Sequence, residues 1–297
     1  MLTYKLDNLE DIPGEYYAEE LSRLGFVERN LEKVDYHIYL DWRKKDHDTK
    51  CFLKNKIDNI SRVTNKYHLR STLGRDYFPY LAKEYGFRQI LRGGRVSVDG
   101  PLIVKPSGGA FFSGKGIEVV VKGDKLNSST AVICEYVTDV QTFHDKKFHL
   151  RVLLFLSTWG KWEVVPIYKI VTAKLPYVKD DWKNKDIHDS HWKSTDGDYF
   201  FCEDGDLYSE EVNSQIIEVC RGVSESVSPK PYSESEKAYE MLGLDFLVRE
   251  NGTVVLLEVN SWAGTCSPPG VPSEPLERYK RKIVEVEMEF VKDAFGL

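Results

Sequence analysis

The 297-residue sequence predicts an α+β fold in which mostly antiparallel strands carry helices packed on them. Three observations lead there. Apolar, β-branched segments of strand length recur from Leu102 to Asn260, separated by turn residues. Two long segments toward the C-terminal end carry apolar stripes at helical spacing. Asn251-Gly252 splits two apolar runs, the strongest short-range hairpin signal.

Taken in order, Glu15 to Leu24 reads as a helix stopped by Gly25, and Val34 to Leu40 as a strand, so residues 1 to about 60 form a small α/β unit. Thr64 caps a short helix running through Leu73. Strands follow at Leu102–Lys105, Ile117–Val121, Ala131–Val137 and His149–Leu156. Residues 178 to 198, polar and rich in Asp, Lys, His and Trp, read as a long loop. Ser209 to about Ser226 is helical, with Val212, Ile216, Val219 and Val223 on one stripe. Ser233-Glu-Ser-Glu236 reads as a capping box that opens a further helix ending at Gly243. The last helix runs from Ser273 to about Ala294 with Leu276, Tyr279, Ile283, Val286 and Phe290 inward.

Composition narrows the function classes. The balance of 41% hydrophobic and 30% charged residues is that of a soluble globular protein, with no apolar run long enough for a membrane span. The N-terminus shows no basic n-region or apolar h-region, so no signal peptide is read. Cys51, Cys134, Cys202, Cys220 and Cys266 are scattered and odd in number, which fits a reducing cytoplasm rather than a disulfide framework. The net charge of -6 argues against nonspecific nucleic-acid binding.

The hairpin carries the chemistry. With Asn251-Gly252 as a two-residue turn, Asp245 faces Glu258, and Asn260 shares that face. Opposed carboxylates destabilise a sheet unless positive charge sits between them. Phe246, Val248, Val255 and Leu257 fill the other face. Asp245, Glu258 and Asn260 thus form an all-oxygen cluster of the kind that takes Mg²⁺ together with nucleotide phosphates. A solvent face that happens to be acidic is the plainer alternative.

A glycine-rich loop, Pro106 to Gly116, joins two strands after Lys105. It is not a Walker A loop, since no helix follows. Its backbone N–H groups can still fold over phosphates, with Lys105 reaching them as a point charge.

Together these segments resemble the ATP-grasp superfamily, and within it the tubulin-tyrosine-ligase-like family. The resemblance covers about residues 55 to 290. It rests on Asn55 and Asn65-Lys66, Val104-Lys-Pro, Ser113-Gly-Lys-Gly-Ile117, the hinge strand Ile133 to Val137, and Lys147-Phe-His-Leu-Arg151 at a "KFDLR"-like strand. It continues with Pro176-Tyr177, Asn184, Ile187-His188, and Leu242-Gly-Leu-Asp-Phe246 with Leu256-Leu-Glu-Val-Asn-Ser261. Four positions depart from the pattern. His149 stands for its aspartate, His188-Asp-Ser-His191 for "HLTN", Cys134 for a frequent glutamine, and Val171 near the place of an arginine, with only Lys169 and Lys174 close by.

The resemblance implies nucleotide bound between two α+β subdomains, residues 65–135 and 136–297, preceded by a small α/β domain, residues 1–64. It implies an ATP- and Mg²⁺-dependent carboxylate–amine ligase that adds an amino acid to a protein or peptide acceptor, tubulin-like among the options, through an acyl phosphate. Lys66, Lys105, Gly114, Gly116, Glu135, Tyr136, Val137 and Lys147 would hold ATP. Asp245, Glu258 and Asn260 would hold the metal. Arg151, Lys147 and His188 would serve the chemistry. A ligase of small metabolites or peptides, and a nucleotide-binding protein that has lost ligation, are the alternatives. Zinc on His149, His188 and His191 lacks an obvious fourth ligand, so loop histidines are the simpler reading. Trp159, Trp162, Trp182 and Trp192 read as core and rim packing.

Overall fold

A computed structural model describes residues 1–6, 14–29, 35–38, 52–53, 57, 60–66, 68–86, 89, 91–106, 117–126, 131–188, 190, 199–203, 209–227, 237–261 and 273–297. Four short strands open the chain: β1 (Thr3–Leu6), β2 (Val27–Glu28), β3 (Tyr36–Ile38) and β4 (Phe52–Leu53), all parallel, in the order β2-β1-β3-β4. Helix α1 (Gly14–Arg23) crosses between β1 and β2, as parallel pairing requires, and Gly25 ends it at φ 82°.

Helices α2 (Ser61–Thr64) and α3 (Leu69–Leu73) occupy the stretch read as one helix capped by Thr64. Thr64 ends the first instead. Its hydroxyl donates back to the Ile60 carbonyl, and Asn65 turns extended and closes the helix. A 3₁₀ helix, Arg75–Tyr80, follows. The hairpin β5 (Leu91–Arg92) and β6 (Arg95–Val96) precedes a three-stranded antiparallel sheet of β7 (Leu102–Pro106), β8 (Glu118–Val120) and β9 (Ala131–Glu135), with β7 central.

The largest sheet is antiparallel. It comprises β10 (Thr142–Phe143), β11 (Lys146–Ser157), β12 (Trp162–Val164), β13 (Ile167–Pro176), β14 (Tyr199–Glu203), β15 (Tyr239–Val248) and β16 (Val254–Asn260). Its main order is β14-β13-β11-β15-β16. A single turn, α4 (Lys185–His188), interrupts the polar stretch read as a loop. Helices α5 (Glu210–Ser226) and α6 (Ser273–Phe295) complete the chain. Ser209 caps α5 by accepting from the Val212 N–H.

Residues 239–243 are strand, not the end of a helix. Tyr239 to Val248 is buried at every position and pairs with β11 through eight register partners from Leu150↔Phe246 to Ser157↔Tyr239. A run buried on both faces has neither period 2 nor period 3.6, so its neighbours decide. The capping box at 233–236 lies outside the described residues.

Alternation along β11 feeds two cores. Leu150, Val152, Leu154 and Leu156 pack with Val212, Ile216, Val219 and Val223 of α5. Leu153 and Phe155 pack on the opposite face with Tyr279, Ile283 and Phe290 of α6 and with Tyr17 and Leu21 of α1. Leu276 is only half-buried. The α6-facing side of the sheet is apolar under the helix and becomes polar toward residues 149 and 151.

Candidate active site

The polar end of that face gathers one row from four strands. Arg151 pairs in register with Lys169 on one side and Asp245 on the other, and Asp245 pairs with Glu258. His149 lies one pleat along β11, and Asn260 one pleat along β16.

The hairpin reaches this arrangement by an unexpected route. Arg249 pairs with Thr253, and Gly252 donates to the Arg249 carbonyl at 2.9 Å with φ 82°. The connection is therefore a three-residue loop, a type I turn with glycine in the left-handed position. Asn251 Oδ1 accepts from the Thr253 N–H at 3.0 Å, the local side-chain bond that favours this turn. Near the loop, register partners are Val248↔Val254 and Phe246↔Leu256; a bulge then restores Asp245↔Glu258. The two slips cancel at the acids but not between them. Val254 and Leu256, rather than Val255 and Leu257, join Phe246 and Val248. Val255 and Leu257 lie with Leu247 against Val137 and Val140. The bulge also re-aims the Leu257 carbonyl, which accepts from Lys105 Nζ at 3.2 Å.

Positive charge does sit between the opposed acids. Arg151 grips Asp245 with a two-pronged fork, Nε to Oδ1 at 2.8 Å and Nη2 to Oδ2 at 2.7 Å. Lys66 Nζ stands 3.2 Å from Glu258 Oε2. Asn260 Nδ2 bridges the pair, donating to Asp245 Oδ2 and Glu258 Oε1 at 3.2 Å each. Burial alone would push the Glu258 carboxyl up; Lys66, Lys105 and Arg151, with the Asn260 amide, hold it well below the usual carboxylate range. For Arg151 burial works against the charge, and Asp245 outweighs it, so the guanidinium pKa is raised.

His149 shares a 2.6 Å hydrogen bond between Nδ1 and Ser190 Oγ. Its Nε2 is buried without a hydrogen-bond partner, 3.7 Å from Asp245 Oδ1. Burial, opposed by Asp245, pushes its pKa down to about 4. The Tyr279 hydroxyl on α6 is likewise buried without a partner, and Arg151 and Asp245 act on it electrostatically. Nothing in the sequence beyond a helical stripe pointed to Tyr279.

A second cluster forms around Lys147. Its Nζ donates to the Tyr136 hydroxyl at 2.6 Å, the Tyr136 hydroxyl bonds His188 Nδ1, and His188 Nε2 bonds the Asp181 carbonyl at 2.6 Å. A carbonyl only accepts, so Nε2 carries the proton and Nδ1 accepts from Tyr136. The chain thus runs in one direction, Lys147 to Tyr136 to His188 to Asp181. Burial, then Lys105, pushes the Lys147 ammonium down to about 7. Burial likewise lowers the His188 pKa and raises that of Tyr136. Trp182 stacks on His188, so this tryptophan borders the site. Trp159 and Trp162 pack on the cores, as expected, and Trp192 lies outside the described residues.

The hinge residues adjoin this cluster. Arg249 clamps Glu135 and, at 2.6 Å, Asp139. The N–H groups of Glu135 and Tyr136 donate to the Lys83 and Pro101 carbonyls, and Val137 is buried beside Val140. Lys169 is buried, 4.3 Å from the centre of the Tyr199 ring, whereas Lys174 is exposed. Asn55, Gly114, Lys115, Gly116 and His191 lie outside the described residues.

Opposed acids, an arginine fork and the lysines Lys66, Lys105 and Lys147 are thus placed by the strands and the helix that precedes them. The sequence model of the tubulin-tyrosine ligase family matches residues 51–191 and 173–264. This chain belongs to the tubulin-tyrosine ligase family. The family is part of the ATP-grasp superfamily, and membership implies ATP-dependent carboxylate–amine ligase activity. No curated protein sequence matches the chain significantly. The large antiparallel sheet is compatible with a tubulin-tyrosine ligase fold. Among the described residues no helix is long and apolar enough to cross a membrane. Nor does any group of three drawn from His, Cys, Asp and Glu alone form a metal-holding arrangement among them.

Proposed function

We propose that this member of the tubulin-tyrosine ligase family joins an amino acid to a protein or peptide carboxylate, using ATP and Mg²⁺ and passing through an acyl phosphate. The observation that carries the reading is the row Lys169–Arg151–Asp245–Glu258 on one sheet face, flanked by Lys66, Lys105 and Asn260. In this reading ATP lies between residues 65–135 and 136–297, against the hinge Glu135–Val137 and beneath the loop that holds Gly114 and Gly116. Residues 1–64 form the N-terminal α/β unit, whose helix α1 shares the core beneath α6.

The oxygen donors of Asp245, Glu258 and Asn260 fit a hard dication, since protein cations already stand against both acids. Bound Mg²⁺ would neutralise phosphate charge there. The amide of Asn260 would turn its oxygen inward. Lys66, Lys105 and Lys147 would line the phosphate chain, and Arg151 would stabilise the transferring phosphoryl group. The acceptor carboxylate attacks the γ-phosphorus and ADP leaves; the donor amine then attacks the acyl carbon and phosphate leaves. His188 would hold Tyr136 and Lys147 in line through their directed hydrogen bonds.

A cytoplasmic setting is part of the proposal, supported by Cys134 and Cys220, which form no disulfide among the described residues. A nucleotide-binding protein without ligation is the competing reading, favoured by His149 and Val171 at positions where the family pattern has charged side chains. The test is ADP release screened against every amino acid, with a cell lysate and free peptides as acceptors and mass gain as the second readout. Donor-dependent ADP release with a matching mass gain supports ligation. Nucleotide binding without donor-dependent release across the whole set supports the competitor.

A further inference from the structure

We propose that Arg249 is a positioning residue for the nucleotide base: it ties both ends of the segment 135–139 to the hairpin that carries Asp245 and Glu258, and so sets how far the base seat lies from the phosphate end of the site. The role presupposes the proposed binding of ATP against Glu135–Val137 and adds the side chain that places those residues.

Segment 135–139 is the crossing from the small sheet to the large one. Glu135 ends β9, and its N–H donates to the Lys83 carbonyl at 2.8 Å. Asp139 lies at the other end. There its carbonyl accepts from the Glu250 N–H at 2.8 Å, and the Gln141 N–H donates to the Val248 carbonyl at 2.8 Å. Val140 and Arg249 form an antiparallel bridge beside them. Arg249 spans the crossing. Its Nη2 donates to Glu135 and its Nη1 to Asp139 Oδ1 at 2.6 Å, so one half-buried guanidinium holds both ends through separate nitrogens. A planar guanidinium fixes two carboxylates at a set spacing; an ammonium supplies charge without that geometry. The strand then fixes the distance to the acids. Arg249 directly follows β15 and lies four residues (249 minus 245) past Asp245, about 13 Å at roughly 3.3 Å per residue.

Other contacts hold the two sheets together. Leu81 bridges to Leu256 and Glu84 to Cys134, and Lys105 Nζ reaches the Leu257 carbonyl. Loss of Arg249 therefore frees the crossing without parting the sheets. Ion pairs to partly exposed acids contribute little to global stability. What Arg249 supplies is order in the residues that meet the base, because a segment already held in place loses less freedom when a ligand docks on it. Tyr136, inside the crossing, carries the hydroxyl between Lys147 and His188, so the same restraint reaches that chain of hydrogen bonds.

The full-length chain and its Arg249→Ala, Arg249→Lys and Asp139→Asn variants are titrated by calorimetry, in the presence of Mg²⁺, with a non-hydrolysable ATP analogue and with inorganic tripolyphosphate. Urea melts are run on each protein. Arg249→Ala and Arg249→Lys should weaken binding of the ATP analogue about tenfold and leave tripolyphosphate within about twofold, with urea midpoints near that of the wild type. Asp139→Asn should weaken the ATP analogue less, and should add nothing further when combined with either Arg249 variant. Equal weakening of both ligands, or unchanged binding of both, overturns the role of Arg249, as do additive losses in the double variant. A wild type that binds tripolyphosphate as tightly as the ATP analogue, or binds neither, has no base seat; that result removes the proposed placement of ATP itself, and the role of Arg249 with it. Should Arg249→Ala not fold, Arg249→Lys and Asp139→Asn make the same comparison.

Discussion

His149 and Val171 are register partners across β11 and β13. In the sequence they are two separate departures from the family pattern, a missing aspartate and a missing arginine 22 positions apart (171 minus 149). In the fold they fall on one cross-strand pair. Placing only one charge of an opposite-charge pair on a buried face leaves it uncompensated, whereas placing both lets them offset each other. His149→Asp alone should be destabilising, since its carboxylate would join Asp245 on a buried face. Val171→Arg alone should be destabilising too, as a buried guanidinium without a mate. The double variant should recover at least about 1 kcal/mol of the summed loss. Urea denaturation of the four proteins measures the coupling; additive losses would show that the two positions do not interact.

The same pair bears on the donor. An arginine fork grips a carboxylate in a way lysine does not reproduce. Lys169 is the buried cation of this row, and Lys174 is exposed at the far end of β13. Free glutamate should therefore be a poor donor for the wild type, and the His149→Asp/Val171→Arg variant should use it better. Mass gain on a peptide acceptor with glutamate, glycine and tyrosine decides this. Robust glutamate ligation by the wild type would contradict it.

Glu258→Gln should abolish donor-dependent ATP turnover, because the carboxylate bridges Lys66 and Asn260 next to Asp245. Relief of acid–acid repulsion is not the dominant effect on stability, since both acids carry cations. The folded Glu258 pKa is depressed, so its contribution is full above the unfolded value of about 4.3 and is lost as pH falls below it. The variant should thus be slightly less stable than wild type at neutral pH, and the gap should narrow as pH falls below about 4. Thermal melts at pH 7 and pH 3 supply the comparison; turnover within a few-fold of wild type would remove Glu258 from the site.

Much of this was legible in the sequence, for physical reasons that differ by residue. Asp245 and Glu258 are opposed because strand register follows turn and pattern, and the expected pairing survives a different turn and a bulge that offset one another. Arg151 could be placed by alternation with Leu150 and Val152. Residues 239–243, the first half of β15, could not, because burial on both faces erases periodicity, and pairing with β11 decides them. Ser190, Asp181 and Tyr279 reach the site through tertiary placement alone. The Leu257 carbonyl becomes a partner for Lys105 only through the bulge, and a backbone acceptor leaves no residue type to read.

Lys105→Ala should weaken nucleotide binding more than Lys115→Ala. Lys105 is the penultimate residue of β7, is largely buried, and ties that sheet to the hairpin through the Leu257 carbonyl. Its loss removes both a charge and a tether, whereas Lys115 belongs to the loop beyond. Calorimetry with an ATP analogue, and urea melts of both variants, should show the larger loss in each for Lys105→Ala. Equal losses would mean that the loop lysine shares the phosphate charge.

Lys147 should make both stability and nucleotide binding depend on pH. Its folded pKa of about 7 lies below the unfolded lysine value of about 10.4. Between those values the unfolded chain holds a proton that the folded chain does not, so stability rises with pH across that interval. Below about pH 7 the fold carries a buried ammonium whose nearest partner is the neutral Tyr136 hydroxyl. Lys147→Met should remove this slope, and the gap between variant and wild type in urea midpoint should narrow as pH climbs from 7 to 10. A triphosphate brought beside Lys147 favours its charged form, so nucleotide binding at pH 8 should take up close to one proton, and binding at pH 6 almost none. Calorimetry in two buffers of different ionisation enthalpy reports that number directly. Uptake of a proton at pH 8 by Lys147→Met as well would assign it to another group, His188 being the neighbour in the same hydrogen-bonded chain, and no uptake by the wild type would mean that Lys147 stays clear of the phosphates.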